Sequence, residues 1–218
     1  MRIFDLSQPV TDGGPNCPAH PPVQLARIAD HPADGWRMEL VHFASHTGTH
    51  LDAPLHKLAD GVSIDAFPLE AFAGRALVAH FNGLEADHPI GPEDLAAKLP
   101  DQLAGGIVLL NTGWGARRAR SEEWLHHSPF LSPAGAEWLV NRGVKGIGID
   151  HYSIGGSRDP DNTRTHEIVL GAGVWVVEDL CFREGWREAS EDAVFQALPL
   201  HMPGLSGTPC RAVFVRYP

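Results

Sequence analysis

The chain has 218 residues, 43% hydrophobic and 20% charged, which is enough for one sizeable core and argues against wholesale disorder. Its net charge of −10 excludes general nucleic-acid or anionic-membrane binding, since both attract basic surfaces. Cys17, Cys181 and Cys210 form neither a disulfide scaffold nor a Cys-x-x-Cys knuckle, no apolar run reaches the roughly 18 residues of a membrane span, and Ile3-Phe4-Asp5-Leu6 follows the start without a leader segment, so a single soluble, cytoplasmic domain over residues 1–218 is expected.

Residues Ile3 to Leu6 read as a strand. Thr11 to Pro22, with Gly13-Gly14-Pro15, Pro18 and Pro21-Pro22, must be a loop because proline lacks the donor a ladder needs. It carries Asn16, Cys17 and His20, and is either a connector or a pocket wall. Val23 to Ile28 and Trp36 to Phe43 read as strands, with His42 expected to be packed or hydrogen-bonded. Ile64 to Phe72 is partly helical, Arg75 to Phe81 a strand, and Gly91 to Leu99 a helix opened by a proline and two acids.

Gly106 to Thr112 is a buried strand by its unbroken apolar run, leading to Gly113-Trp114-Gly115, where Trp114 is either core or site. Adjacent His126 and His127 cannot share a face and are taken as surface residues, or one as a support behind a ligand. Ser132 to Gly143 has the serine cap, first-turn proline and closing glycine of a helix, and Val144 to Asp150 is the next strand. Gly155 to Thr165 reads as a polar loop, with Thr165 capping a short helix to Leu170. Gly173 to Leu180 is a strand in which Glu178 is a solvated end or a ligand, and Phe195 to Leu200 and Cys210 to Arg216 are two more strands. Helix-then-strand alternation indicates an α/β core.

The densest chemistry lies in His46-Thr47-Gly48-Thr49-His50-Leu51-Asp52-Ala53-Pro54-Leu55-His56. Gly48 and Pro54 argue against a regular helix, and in extended chain the even offsets among His46, His50, Asp52 and His56 place them on one face. Two imidazoles and a carboxylate suit a divalent ion of zinc or manganese type, with His56 beyond them as a proton carrier; the bland alternative is a polar surface loop. Filling a bridged second metal position requires more ligands, for which His166 and Glu178 are candidates among many competing residues.

The segment resembles the His-x-Gly-Thr-His-x-Asp-x-Pro-x-His signature of the cyclase-like metal hydrolase family, which includes bacterial kynurenine formamidases and isatin hydrolases. His166 with Leu170-Gly171-Ala172-Gly173-Val174 and Glu178, the stretch Gly148-Ile149-Asp150 to Ser153, and Gly207-x-Pro209-x-Arg211-Ala212 are similar to further parts of that family, so the resemblance spans nearly the whole chain. It implies a single-domain α/β fold with a mixed sheet and a swivelling β/β/α core, commonly dimeric. It also implies His46, His50 and Asp52 on a first metal, Asp52 and Glu178 bridging, His166 on a second metal, and His56 carrying the proton. Where formamidase members place a tryptophan in the N-terminal loop, this chain has Pro15-Asn16-Cys17-Pro18.

The expected function is hydrolysis of a non-peptide acyl bond in a small molecule, with one or two ions, Zn2+ first and Mn2+ as the alternative. Metal-activated water would attack the carbonyl while His56 moves the proton. An arylformamidase acting on an N-formylkynurenine-type substrate is the first choice and an isatin-type lactam hydrolase the second. A non-catalytic metal-binding protein is the alternative from another class. No Gly-x-Ser-x-Gly elbow supports a serine hydrolase.

Overall fold

The computed structural model describes residues 1–217. In chain order its elements are β1 (Arg2–Asp5), β2 (Gln24–Ala29), β3 (Met38–His42), β4 (His50–Asp52), β5 (Ala73–Gly74), β6 (Ala76–His80), β7 (Pro89–Ile90), α1 (Pro92–Ala96), β8 (Ile107–Asn111), α2 (Glu122–His126), β9 (Phe130–Leu131), α3 (Pro133–Val140), β10 (Gly146–Ile149), α4 (Asp161–Gly171), β11 (Trp175–Glu178), α5 (Trp186–Ser190), β12 (Val194–Pro199) and β13 (Gly207–Arg216).

Nine strands form one mixed sheet in the order β5-β12-β13-β4-β11-β10-β8-β6, with β1 added antiparallel to β13. The run β6, β8, β10, β11 is parallel, and β4 lies antiparallel between β11 and β13. The two ends of this order, β5 and β6, are separated in the chain by Arg75 alone, so the sheet nearly closes on itself. Such curvature gives it an inside and an outside, each with its own apolar core.

Alternation along the parallel strands divides the side chains between those cores. Val108, Leu110, Ile147, Ile149 and Val176 pack outward with Leu95 of α1, Ala136 and Leu139 of α3, and Val169 and Leu170 of α4. Ile107, Leu109, Trp175 and Val177 pack inward with Leu51, Phe195, Ala197, Ala212 and Phe214. Both faces of these strands are therefore covered, which is why Ile107 to Leu110 reads as a continuous apolar run rather than an alternating one. Each fully buried aliphatic side chain contributes about 1.5–3 kcal/mol.

The helix ends follow local chemistry. Ser132 caps α3 by accepting from Gly135 N, with Pro133 in the first turn, and Ser121 caps α2 by accepting from Trp124 N. Three expectations change, and two helices are elements for which the sequence carried no expectation. The helix bearing His166 starts at Asp161, not Thr165: Asp159 Oδ1 takes the Thr163 amide at 3.1 Å, and Thr165 is buried mid-helix with its hydroxyl on Leu131 O. Polar residues 158–163 read as loop because this first turn faces solvent. His42 is exposed on β3 rather than packed, because β2 and β3 pair only with each other and stand away from the main sheet. Glu122 to His126 forms α2, burying Trp124, and α5 has no strong pattern in the sequence. Finally, the His46–His56 segment is strand only at His50–Asp52. Gly48 turns the chain at φ +62°, and Pro54–His56 is a short 3-10 turn.

Candidate metal centre

Strand β4 begins opposite the carboxyl end of β11, with His50 in register with Glu178 and Asp52 with Val176. This brings the two halves of the sequence-predicted set, 46–56 and 166–178, to one place at the ends of the parallel strands. On β4 an offset of two puts His50 and Asp52 on one face. His46 and His56 arrive differently: Gly48 folds His46 back, and the 3-10 turn after Pro54 carries His56 up. The His46 and His56 rings lie 3.9 Å apart between centroids, and His46 and His50 meet edge to face at 5.3 Å. Helix α4 supplies His166, whose ring is 5.8 Å from that of His56.

Each predicted residue has defined contacts. His50 Nδ1 donates to Gly48 O at 2.8 Å, and His166 Nδ1 donates to Asn162 O at 2.8 Å. A carbonyl only accepts, so both rings keep a proton on Nδ1 and aim Nε2 inward, where its lone pair can go to a cation in place of a proton. His50 Nε2 stands 3.4 Å from Asp52 Oδ1 and 3.5 Å from Glu178 Oε2. His166 Nε2 stands 3.4 Å from Glu178 Oε1 and 3.9 Å from Asp52 Oδ2. His46 Nδ1 is 2.6 Å from Asp52 Oδ1 and its Nε2 2.9 Å from Ser206 Oγ. Glu178 Oε1 accepts from Ile154 N at 2.7 Å, so Glu178 is a buried, hydrogen-bonded carboxylate and not a solvated strand end.

Asp52 and Glu178 are both buried, and Asp52 Oδ2 has no hydrogen-bond partner. An orphaned buried carboxylate oxygen costs at least about 1–3 kcal/mol unless a cation meets it. His50, Asp52 and Glu178 offer donor atoms within 4.8 Å of one another, as do His46, Asp52 and His56. Imidazole nitrogen with carboxylate oxygen, two rings locked in the donor tautomer and an unmatched negative charge together fit a divalent ion. The shared carboxylate, Asp52, lies where the two groups meet.

Charge coupling follows from this crowding. Burial opposes ionisation of Asp52, yet the His46 and His50 rings hold its carboxyl well below the ordinary range. Glu178 moves up, first because it is buried and then because Asp52 is beside it. Burial disfavours the His50 cation, but Asp52 and Glu178 override it and push the ring up to about 9. His56 is exposed at its outer side. Lost hydration on its inner face lowers its pKa, Asp52 opposes, and the neighbouring His46, His166 and His50 carry it down to about 4.

The N-terminal loop forms part of the surroundings. Asn16 Nδ2 donates to Thr47 Oγ1 at 3.3 Å, and a Cys17–His20 turn closes with His20 N on Cys17 O at 3.0 Å. The His20 ring lies 6.4 Å from that of His46, with Nδ1 buried and unpartnered. Trp114 belongs to an aromatic cluster with Trp124 and Tyr152, against which Cys17 packs. Adjacent His126 and His127 stay out of the centre; His127 Nδ1 pairs with Asp87 at 2.7 Å. Ser206 and Ile154 were not singled out in the sequence, whereas Gly207 was, as the start of Gly207-x-Pro209-x-Arg211-Ala212. Only the glycine carries a signal: a Cβ there would fall 2.2 Å from Leu51 O and 2.6 Å from His46 Cε1.

Known structures show the same fold. An isatin hydrolase A from Ralstonia solanacearum is 26% identical, with a TM-score of 0.83 over 98% of this chain and 91% of that one. A potential metal-dependent hydrolase with cyclase activity is 25% identical, with a TM-score of 0.78 over 100% of this chain and 99% of that one. Isatin hydrolase A from Labrenzia aggregata bound to benzyl benzoate shares the fold at 24% identity, with a TM-score of 0.81 over 98% and 93%. Residues 4–155, most of the 218, match the sequence model of the putative cyclase family, and the chain belongs to that family.

Proposed function

We propose that this protein is a metal-dependent hydrolase of a small aryl amide, cleaving a C–N bond other than a peptide bond. The observation that carries this reading is the pair of imidazoles, His50 and His166, each proton-locked by a backbone carbonyl and aimed at two buried carboxylates, one with an orphaned oxygen. His46, His50 and Asp52 would hold a first ion, with Asp52 and Glu178 shared and His166 completing a second position. Zn2+ suits this nitrogen and oxygen set best, with Mn2+ the alternative. When bound, such an ion supplies Lewis acidity and a water that ionises near neutral pH.

His56 is the proton carrier in this scheme. Its ring stacks against His46 and is open to solvent on its outer side, so it is placed to pass a proton between the site and the leaving nitrogen. Because His56 also falls within ligand reach of His46 and Asp52, its metal independence must be measured.

The lactam of isatin and the formamide of N-formylkynurenine are the two substrates to compare. Similarity to named isatin hydrolases supports the first. The eleven-residue signature is common to both branches, and Pro15-Asn16-Cys17-Pro18 lacks an aromatic side chain for the formylkynurenine substrate. Elemental analysis of wild type and Glu178→Gln, with turnover of both compounds, tests the reading. Two ions per chain falling in the variant, with hydrolysis of either compound, is the expected result. Bound metal without turnover of either compound would point to a non-catalytic metal protein and sink the assignment.

We also propose a homodimer, on the apolar β2–β3 hairpin, where Ile28, Trp36, Met38, Leu40 and Val41 are exposed.

A further inference from the structure

The Pro-rich loop from Pro9 to His20 has no helix or strand of its own; Gly13 N on Val23 O, Leu25 N on Asp12 Oδ1 and Asn16 Nδ2 on Thr47 Oγ1 tether it locally, and one buried guanidinium ties it to the strand end bearing Glu178. Arg118 reaches it from the far side of the Gly113-Trp114-Gly115 turn. Its Nη1 donates to Pro9 O at 3.2 Å and its Nη2 to Pro15 O at 2.6 Å. The same guanidinium grips Asp179, with Nε 2.9 Å from Oδ2 and 3.2 Å from Oδ1, and Nη2 2.8 Å from Oδ2. The Arg118 side chain is only 9% exposed and that of Asp179 1%.

Asp179 is itself a junction. It follows Glu178 and adopts a left-handed φ of +55°. Its amide donates to His151 O at 2.7 Å, and its carbonyl accepts from Thr49 Oγ1 at 2.7 Å, beside His50. Thr49 Oγ1 in turn accepts from Gln8 N at 2.8 Å. One buried ion pair thus links the strand end bearing Glu178, the turn leading into His50, and both ends of the loop segment that precedes Asn16. A residue in a left-handed conformation and a buried ion pair both cost stability, and such costs persist where they fix a geometry. The geometry fixed here is the distance between the ligand cluster and the Cys17–His20 turn, where His20 Nδ1 is buried without a partner and close to His46.

We propose that Arg118 is a positioning residue for substrate: its ion pair with Asp179 holds the Pro9–His20 loop so that the Cys17–His20 turn is the wall against which an aryl amide is bound, with His20 Nδ1 as a polar contact. The catalytic part of this inference rests on the hydrolase reading; the placement of the loop does not. Lysine keeps the charge but offers a point donor where two carbonyls and a carboxylate need a planar fork, so Arg118→Lys fails with Arg118→Ala rather than rescuing it.

The test uses the metal-loaded full chain as wild type, Arg118→Ala and Arg118→Lys. Iodoacetamide labelling of Cys17 is followed by peptide mapping, with Cys181 and Cys210 as internal controls. Both variants are expected to label Cys17 at least about tenfold faster, with the two control thiols unchanged, because the loop opens locally. Metal content stays at the wild-type value, and KM for isatin or N-formylkynurenine rises about tenfold while kcat changes by less than about threefold. Unchanged Cys17 labelling, a fall in metal content, or a loss confined to kcat would overturn the proposal, and so would full restoration of KM by lysine. If the alanine variant does not fold, the lysine variant carries the same readouts. If wild type hydrolyses neither compound, the hydrolase reading fails by itself, and Cys17 labelling still decides whether Arg118 places the loop.

Discussion

Asp52 is the residue on which the centre turns: it faces His46, His50 and His166, and its second oxygen has no protein partner. Glu178→Gln keeps shape but removes charge, and is expected to weaken metal binding by at least about tenfold in a chelator competition. His56→Gln should keep wild-type metal content and lose about a hundredfold or more in kcat. A fall in metal content in that variant would reassign His56 as a ligand. Away from the centre, His151 is fully buried, with Nδ1 2.9 Å from Ser128 Oγ and Nε2 2.9 Å from Trp124 O. Burial lowers its pKa to about 4. Below about pH 6.5 the unfolded chain therefore binds a proton that the native chain refuses. This contribution to stability is whole above pH 6.5 and falls as pH drops towards 4, by about 3 kcal/mol in all. Urea unfolding across that range should show a shallower pH slope in His151→Gln. An unchanged slope would mean that His151 takes up its proton in the native state.

At the scale of elements, the site depends on a strand of three residues. Strand β4 is wedged between β11 and β13, and Gly207 of β13 stands opposite Asp52. Gly207→Ala would drive a methyl group into Leu51 O and the His46 ring, so it should lower both thermal stability and metal content. By contrast, Leu109→Ala, deep in the inner core, should cost about 2–5 kcal/mol in urea unfolding while leaving metal stoichiometry intact in the folded fraction. The helix ends were legible because their chemistry is local: Ser132, Pro133 and Gly143 act on their own turn. The start of α4 was not, because residues 158–163 are polar for exposure to solvent and give the same signal in a loop or an outward-facing first turn. His42 misled for the opposite reason: alternation in β3 suggests a buried face, and nothing local says that the hairpin stands apart from the sheet.

For the whole molecule, metal and assembly are the levers. An ion that binds only the folded chain stabilises it by about 2.7 kcal/mol at a hundred times its Kd, so a chelator should lower Tm by roughly 5–10 °C while far-UV circular dichroism below Tm stays native. Collapse of the fold on chelation would indicate a structural metal instead. The proposed homodimer predicts that Trp36→Glu, on the exposed hairpin, gives a monomer by sedimentation velocity, with wild type sedimenting as a dimer. Among the described residues no helix is long and apolar enough to cross a membrane.

Composition, caps and the spacing from His46 to His56 were enough to place the chain in an α/β class and to name its metal-type chemistry, because residue type and short offsets constrain neighbours in sequence. They did not explain why the residues converge. Extended geometry accounts for His50 and Asp52 alone; His46 depends on the turn at Gly48 and the seat at Gly207, and His56 on a 3-10 turn. His166 and Glu178 reach the same point only because α4 packs against β11 and the 3-10 turn at Pro54–His56, and β11 pairs with β4 in antiparallel register. Arg118, Asp179, Ser206 and Ile154 carry no local signal at all, since their partners lie 24 to 160 residues away and only the nearly closed sheet brings them together.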